Sequence, residues 1–256
     1  MRNNIKLLLD QKAQHYENES FIVADPISIP HRFSAQADIE IAGLFAAVFA
    51  WGLRKTIISK SLELLQLMDN SPHDFILNHT DQDLQRLEHF KHRTFQPADT
   101  LYFVHFLHEY YQKHSTLEEA FRDKEGGFND LESGLIEFRN RFFDSEYALQ
   151  RTKKHIPSPA RKSATKRLNM YLRWMVRSSD RGVDFGLWKN IKPAQLYIPL
   201  DVHVTRVARH LCILSRDKND WTSVVELTNY LRTLDPADPV KYDFALFNMG
   251  LEGERF

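Results

Sequence analysis

Apolar positions along this chain recur mostly at steps of three and four, the spacing of helices with one buried face. No long run alternates apolar with polar residues as a half-buried strand would. Residues 5–17 read as a short amphipathic helix. The stretch Phe21–Phe33 carries Pro26 and Pro30, which favour extended structure over helix. Asp38 stands where an N-cap belongs, ahead of a strongly apolar helix reaching about Ala50. A second helix runs from about Lys55 to Met68, with Ile57, Ile58, Leu62, Leu65 and Met68 on one face. Helices are predicted at 81–90, 98–113 and 116–124, and at 129–149 after the Gly126-Gly127 break. His155-Ile-Pro-Ser-Pro159 interrupts the pattern before a helix from about Ser163 to Arg177. A loop with Gly182, Gly186, Pro193 and Pro199 fills 178–200, and Asp201 opens a helix to about Leu214. Ser223-Val-Val-Glu226 has the form of a capping box for a helix ending near Leu234. After the turn at 235–239, a last helix covers about 240–249.

Composition supports the helical reading. Only 9 glycines occur in 256 residues, fewer than a turn-rich β fold needs. With 43% hydrophobic residues the chain can bury one large core or two linked smaller ones. The fold class expected is all-α. A single cysteine, Cys212, excludes an internal disulfide and a cysteine-ligated metal cluster. It lies within the Asp201 helix by this reading, where it would be buried. The cysteine usage and an N-terminus without an apolar run suggest a cytoplasmic protein. The most apolar stretch, Ile39 to Leu53, is too short to span a bilayer, so no membrane association is expected.

Charge changes the picture only through its distribution. Lys plus Arg and Asp plus Glu both number 34, so the total does not advertise a polyanion binder. Yet residues 151–181 hold ten Lys and Arg residues against Asp180 alone. On the helix after Pro159, Leu168, Tyr171, Leu172, Met175 and Val176 form an apolar stripe. Lys166, Asn169, Arg173 and Arg177 recur at steps of three and four on another face. That face reads as a surface row of cations able to meet phosphates, with Arg167 beside it.

The most informative stretch is Ile198-Pro-Leu-Asp-Val-His-Val-Thr-Arg-Val207. It resembles the pattern (I/V)-P-(V/L)-D-T-H-(V/I)-x-R-V of the helix-hairpin-helix (HhH-GPD) DNA glycosylase superfamily, matched at Asp201, His203, Val204, Arg206 and Val207. Val202 replaces the usual Thr. A carboxylate at a helix N-terminus accepts backbone N–H groups and can support an oxocarbenium-like sugar as a base departs. The resemblance implies that role for Asp201, and a lysine nucleophile in bifunctional members. Lys166, in Lys166-Arg-Leu-Asn-Met-Tyr-Leu-Arg-Trp174, resembles the lysine-bearing helix of archaeal 8-oxoguanine glycosylases. Lys162, in Ile156-Pro-Ser-Pro-Ala-Arg-Lys-Ser-Ala164, runs loosely parallel to the hairpin pattern L-P-G-V-G-x-K-T-A, although Ser158 and Ala160 replace glycines that let a backbone approach a phosphate. Asp38–Arg54 resembles the superfamily's early helix, which implies that Trp51, Gly52 and Arg54 lie near the base pocket. The whole chain also resembles an uncharacterised bacterial family, a domain of unknown function, through residues 166–177 and 238–247.

The resemblance implies a two-lobed helical fold for residues 1–256, with 35–150 and 151–256 supplying most of two intertwined lobes. The function it implies is excision of a damaged, 8-oxoguanine-like base from duplex DNA, with AP lyase activity. Lys166 and Asp201 would be catalytic. Trp51, Gly52, Arg54, Lys162, Arg167, Asn169, Arg173 and His203 would bind DNA or the base. No cofactor, metal or obligate protein partner is expected. Two alternatives stay open: a nucleic-acid-binding protein of the same fold without chemistry, and a metal-dependent phosphohydrolase using His73-Asp74 and His203. The latter requires histidines to converge on a metal. His105 and His108, set among Phe103, Phe106 and Tyr111, read as packing residues.

Overall fold

The structure is a computed structural model that describes residues 2–253. Twelve α-helices follow one another along the described residues. They are α1 (Arg2–Tyr16), α2 (Glu19–Val23), α3 (Gln36–Phe49), α4 (Arg54–Leu67), α5 (Pro72–Asn78) and α6 (Asp81–Gln85). The remainder are α7 (Pro97–Tyr111), α8 (Leu131–Phe142), α9 (Lys166–Val176), α10 (Val202–His210), α11 (Trp221–Leu234) and α12 (Tyr242–Glu252). The described residues form no strand, only two isolated bridges, so the fold is all-α as the periodicity predicts. No helix among them is long and apolar enough to cross a membrane.

The chain divides into two compact units. One comprises Met1–Val23, Asn129–Glu132 and Pro157–Phe256; the other comprises Ala24–Phe128 and Ser133–Ile156. The second is built around α3, whose residues are buried from Ile39 to Phe49. Its core is aromatic: Phe103 meets Phe45, Phe95 and Phe142 with ring centroids 4.7–5.7 Å apart, and Phe121 stacks on Phe138 at 4.2 Å. Two of its buried acids, Glu40 and Asp99, are well supplied with donors. Glu40 accepts from Tyr111, Thr116 and the Leu117 amide. Asp99 accepts from Thr152 and the Gln96 amide and lies 3.4 Å from His155. Burial would raise the Asp99 pKa, but these partners hold it below the ordinary carboxylate value.

In the first unit α12 packs against both α1 and α10. Close approach to α10 depends on Gly250, because a Cβ there would stand 2.8 Å from the His203 Cβ and carbonyl oxygen. Helix α9 is buried over most of its circumference, with Leu168, Tyr171, Leu172, Trp174, Met175 and Val176 all in the core. The following loop, residues 178–200, is tied to the end of α9 by amide bonds from Phe185 to the Trp174 carbonyl and from Trp188 to the Met175 carbonyl.

Several local expectations are corrected. Asp38 lies in the first turn of α3 rather than at its N-cap, which is Ala35; its carboxylate instead accepts from the His73 amide. Residues 26–28 and 30–32 form short 3₁₀ turns, because each proline occupies a first helical position where its missing N–H costs nothing. Residues 117–121 are 3₁₀ rather than α. The helix over 81–90 stops at Gln85 and that over 129–149 stops at Phe142. Asp220, not Ser223, caps α11, and Glu226 bonds the Ser215 amide and hydroxyl instead. Cys212 is exposed and lies beyond α10: it holds the left-handed residue (φ 55°) after the helix, and the Ile213 amide reaches back to the Ala208 carbonyl.

Candidate functional site

The two residues expected to be catalytic, Lys166 and Asp201, lie at the starts of α9 and α10. Thr165 is its N-cap residue and sits in the left-handed region (φ 44°), unusual for a β-branched side chain. It is buried, and its hydroxyl has no hydrogen-bond partner. Lys166 follows as the first helical residue. It is half-buried and makes neither a hydrogen bond nor an ion pair with any described residue. One turn on, Asn169 is 1% exposed. Its amide donates to the Ala164 carbonyl at 3.3 Å and to the Ile198 carbonyl at 3.5 Å, while its side-chain oxygen is unpartnered. Asn169 therefore ties the segment that delivers Lys166 to the segment that delivers Asp201.

Asp201 is the N-cap of α10. Its Oδ1 accepts from the amides of His203 and Val204, each at 2.9 Å, as the sequence pattern implies. Neighbouring Val202 is exposed.

A second carboxylate of this region, Asp243 on α12, was not singled out by the sequence pattern. It is buried and accepts from Arg173 Nη1. Burial is the main force pushing its pKa up, to about 6; Arg173 and Lys166 pull it down, and the charge of Asp201 pushes it further up. Lys166 and Asp201 thus both act on one carboxyl group. The signal for Asp243 in the sequence is an acid set within the apolar run Tyr242-Asp-Phe-Ala-Leu-Phe247.

The expected surface row of cations is the main correction. Arg173 and Arg177 are 2% and 5% exposed and face inward. The Arg173 Nε lies 3.3 Å from Asp184 Oδ1, and its guanidinium lies 4.4 Å from the Phe244 ring centre. Arg177 donates to Glu17 at 2.7 Å, to Asp184 at 2.6 Å and to Asp238 at 2.8 Å. Burial opposes the Arg177 charge, but Asp184 and Asp238 raise its pKa well above the ordinary value. Two guanidinium groups thus face four carboxylates, and neither arginine is presented to a phosphate. Arg167, half-buried, is pushed down to about 10 by desolvation.

Lys162 projects from an exposed left-handed residue (φ 57°), and its carbonyl accepts from the Trp221 amide at 3.2 Å. Ser158 is extended, so the backbone needs no glycine there. His203 packs on α12 rather than reaching toward a base. Its ring stands 5.8 Å from that of Phe247, and its Nδ1 lies 3.3 Å from the Gly250 carbonyl.

Trp51, Gly52 and Arg54 belong to the other unit. The Arg93 guanidinium covers one face of Trp51 at 4.4 Å. Gly52 (φ 109°) makes this stack possible, since a Cβ would come within 2.3 Å of Arg93 Nη1. Arg54 lies 3.9 Å from Asp25. An open cavity of about 710 Å³ in the same unit, lined by Tyr102, His105, Tyr110 and Tyr147 among others, includes none of these three. No group of three or more His, Cys, Asp or Glu residues is placed to hold a metal among the described residues.

The chain matches the model of a family described as a protein of unknown function, DUF2400, over residues 25–252. No curated protein and no solved structure matches it. With the match spanning nearly the whole chain, from the first turns of the second unit to the end of α12, this protein belongs to the DUF2400 family.

Proposed function

We propose that the protein is a DNA repair glycosylase with AP lyase activity on an HhH-GPD-like fold, acting on duplex DNA that carries a damaged base of the 8-oxoguanine type. The observation that carries this reading is the pairing of an unpartnered lysine at the start of α9 with an N-capping aspartate at the start of α10. Asn169 links the two segments, and both charges bear on Asp243. A nucleotide turned out of the duplex presents its sugar to this pair. Lys166, as the neutral amine, attacks C1′; the glycosidic bond breaks with its electron pair leaving on the base, which takes up a proton. The Asp201 carboxylate stabilises positive charge on the sugar ring as the base departs. Ring opening gives a Schiff base, and loss of a C2′ proton then expels the 3′-phosphate. With Arg173 and Arg177 committed internally, phosphate contacts in this unit fall to the exposed Arg161, Lys162 and Arg181.

The test is borohydride trapping on duplexes containing 8-oxoguanine or an abasic site. The expected result is a covalent adduct that Lys166→Ala abolishes and Asp201→Asn slows by about 100-fold or more. Salt-sensitive DNA binding without adduct or base release would replace this reading with that of a binding protein.

A further inference from the structure

The open cavity of about 710 Å³ takes no part in the chemistry proposed above, and every residue lining it belongs to the second unit. Its floor is one side of α7, where Tyr102, Phe106 and Tyr110 recur four residues apart and extend along about 12 Å of helix. All three are buried, and the rings of Phe106 and Tyr110 stack at 5.6 Å. A second wall comes from the end of α8 and the chain beyond it. There His105 Nε2 lies 3.2 Å from Ser145 Oγ, and the Tyr147 ring stands edge-on to the His105 ring at 5.2 Å. Tyr147 is 63% exposed, an aromatic side chain presented at the mouth of the cavity.

The same cavity carries opposite charges that the fold keeps apart. Arg141 is half-buried, and its Nη1 donates to the Ala120 and Arg122 carbonyls at 2.8 and 2.6 Å. It makes no ion pair with a described residue, so the guanidinium is oriented but its charge is unmatched. Asp144 and Glu146 are exposed, and their carboxylates make neither a hydrogen bond nor an ion pair with a described residue. Asp144 follows Arg141 by three residues, yet α8 ends at Phe142 between them and the two do not pair. Helix α8 runs against α7: Phe142 meets Tyr102 at 5.7 Å and Phe138 meets Phe106 at 6.4 Å. The acids beyond Phe142 therefore lie at the Tyr102 end of the floor, and Arg141 is set back toward Tyr110. Burial raises the Tyr110 pKa, and the nearby charge of Arg141 opposes that rise.

We propose that this cavity binds a short peptide with free ends, its carboxylate held by Arg141, its ammonium by Asp144 and Glu146, and its apolar side chains laid on the aromatic floor. A guanidinium fork meets a carboxylate with two parallel hydrogen bonds, and an ammonium has three donors to share between two acids. A small organic cation would satisfy the acids and leave Arg141 without an anion; a small anion would do the reverse. Unmatched charges of both signs on one wall select a zwitterion, and the aromatic side chains beside them select one with an apolar middle. An extended peptide covers roughly 3.3–3.6 Å per residue, so about three residues match the floor. The cavity volume lies in the ordinary range of small-ligand sites. The remaining charged pair of the lining, Lys113 and Glu109, is joined at 3.4 Å and offers neither sign alone. This site goes beyond the glycosylase reading and does not depend on Lys166 or Asp201.

The experiment is calorimetric titration of the intact protein with the tripeptide alanyl-phenylalanyl-alanine, beside its N-acetylated and its C-amidated forms. The expected result is saturable binding of the free peptide, weakened about 10-fold or more by either modification. Asp144→Asn combined with Glu146→Gln should weaken the free peptide by about 10-fold and leave the acetylated one unchanged. Both side chains make no hydrogen bond or ion pair to lose, so this variant keeps the fold. The ring resonances of His105 and His114, which line the cavity, should move on addition of peptide, while those of His15 and His31 outside it stay in place. No saturable binding up to about 10 mM overturns the proposal, as does equal binding of all three peptides. Loss on amidation alone reduces the site to an anion contact at Arg141, and loss on acetylation alone to a cation contact; either result overturns the peptide reading. Binding that leaves both cavity histidines unmoved places the ligand elsewhere and overturns it too.

Discussion

The two units solve the problem of a helical interior in opposite ways. The unit around α3 fills its centre with aromatic rings, and two of its buried acids, Glu40 and Asp99, accept hydrogen bonds from hydroxyl and amide donors. The unit around α9 places two arginines and four carboxylates in its interior and leaves Asp243 with a raised pKa. Buried ion pairs rarely stabilise a fold better than apolar side chains of the same volume, so the second solution is the one that stability alone would not select. The difference sets the charged interior around α9 apart from the aromatic packing of the other unit.

The largest expected effects break both interiors at once. Phe103→Ala should cost about 3–5 kcal/mol by opening a cavity among the rings. Arg173→Met should cost a similar ~3–5 kcal/mol by leaving Asp243 and Asp184 short of a counter-charge. The comparison is sharpened by adding Asp243→Leu to Arg173→Met. Urea denaturation should show much of the loss recovered, whereas no second apolar change rescues Phe103→Ala unless it refills the space. If the double variant is no more stable than Arg173→Met, the charges are structural after all.

A smaller effect is expected at the crossing of α10 and α12. Gly250→Ala forces a methyl against His203 and should cost about 1–3 kcal/mol, read as a lower thermal midpoint. It should also weaken any adduct formation, since α10 positions Asp201.

Opposite pH slopes separate the units again. The folded pKa of Asp99 lies below its ordinary 3.8, so its contribution is present at neutral pH and is lost as pH falls through that region. The folded pKa of Asp243 is raised from 3.8 to about 6, so the protonated form is favoured by folding; stability from this group is greatest in acid and declines as pH rises between those values. Urea midpoints measured for Asp99→Asn below pH 3.8 and for Asp243→Asn between pH 3.8 and about 6, each against the wild type, should differ with opposite slopes. The smallest effect is predicted for Lys166→Ala: stability within about 0.5 kcal/mol of the wild type by the same assay, since the amine makes no hydrogen bond or ion pair to lose.

Helix class and most helix positions were legible because apolar period is a local property, and the N-cap role of Asp201 was legible for the same reason. The burial of Arg173 and Arg177 was not. Of their partners, Asp184 lies only 7 residues from Arg177, but Glu17, Asp238 and Asp243 come from distant parts of the sequence, up to 160 residues away for Glu17 and Arg177, and a stripe of cations reads identically whether it meets water or acids. A partial signal existed, since the remaining positions of α9 are apolar nearly all round and leave little helix surface for solvent. The contacts of His203 and Trp51 were not legible for a related reason. Both look available as residue types, yet the Gly250 carbonyl and the Arg93 guanidinium occupy them.

The membership of α1 in the first unit sets the order in which the molecule can be completed during synthesis. The aromatic unit, Ala24–Phe128 with Ser133–Ile156, has all its residues once the ribosome has passed position 156 and can close early. Residues 1–23 must wait for α12, the last of the described helices, before α1 finds its partner and Arg177 and Arg173 find Asp238 and Asp243. An unfinished chain therefore cannot assemble the charge cluster: a nascent or truncated product ending before α12 carries Arg173 but not its partner Asp243.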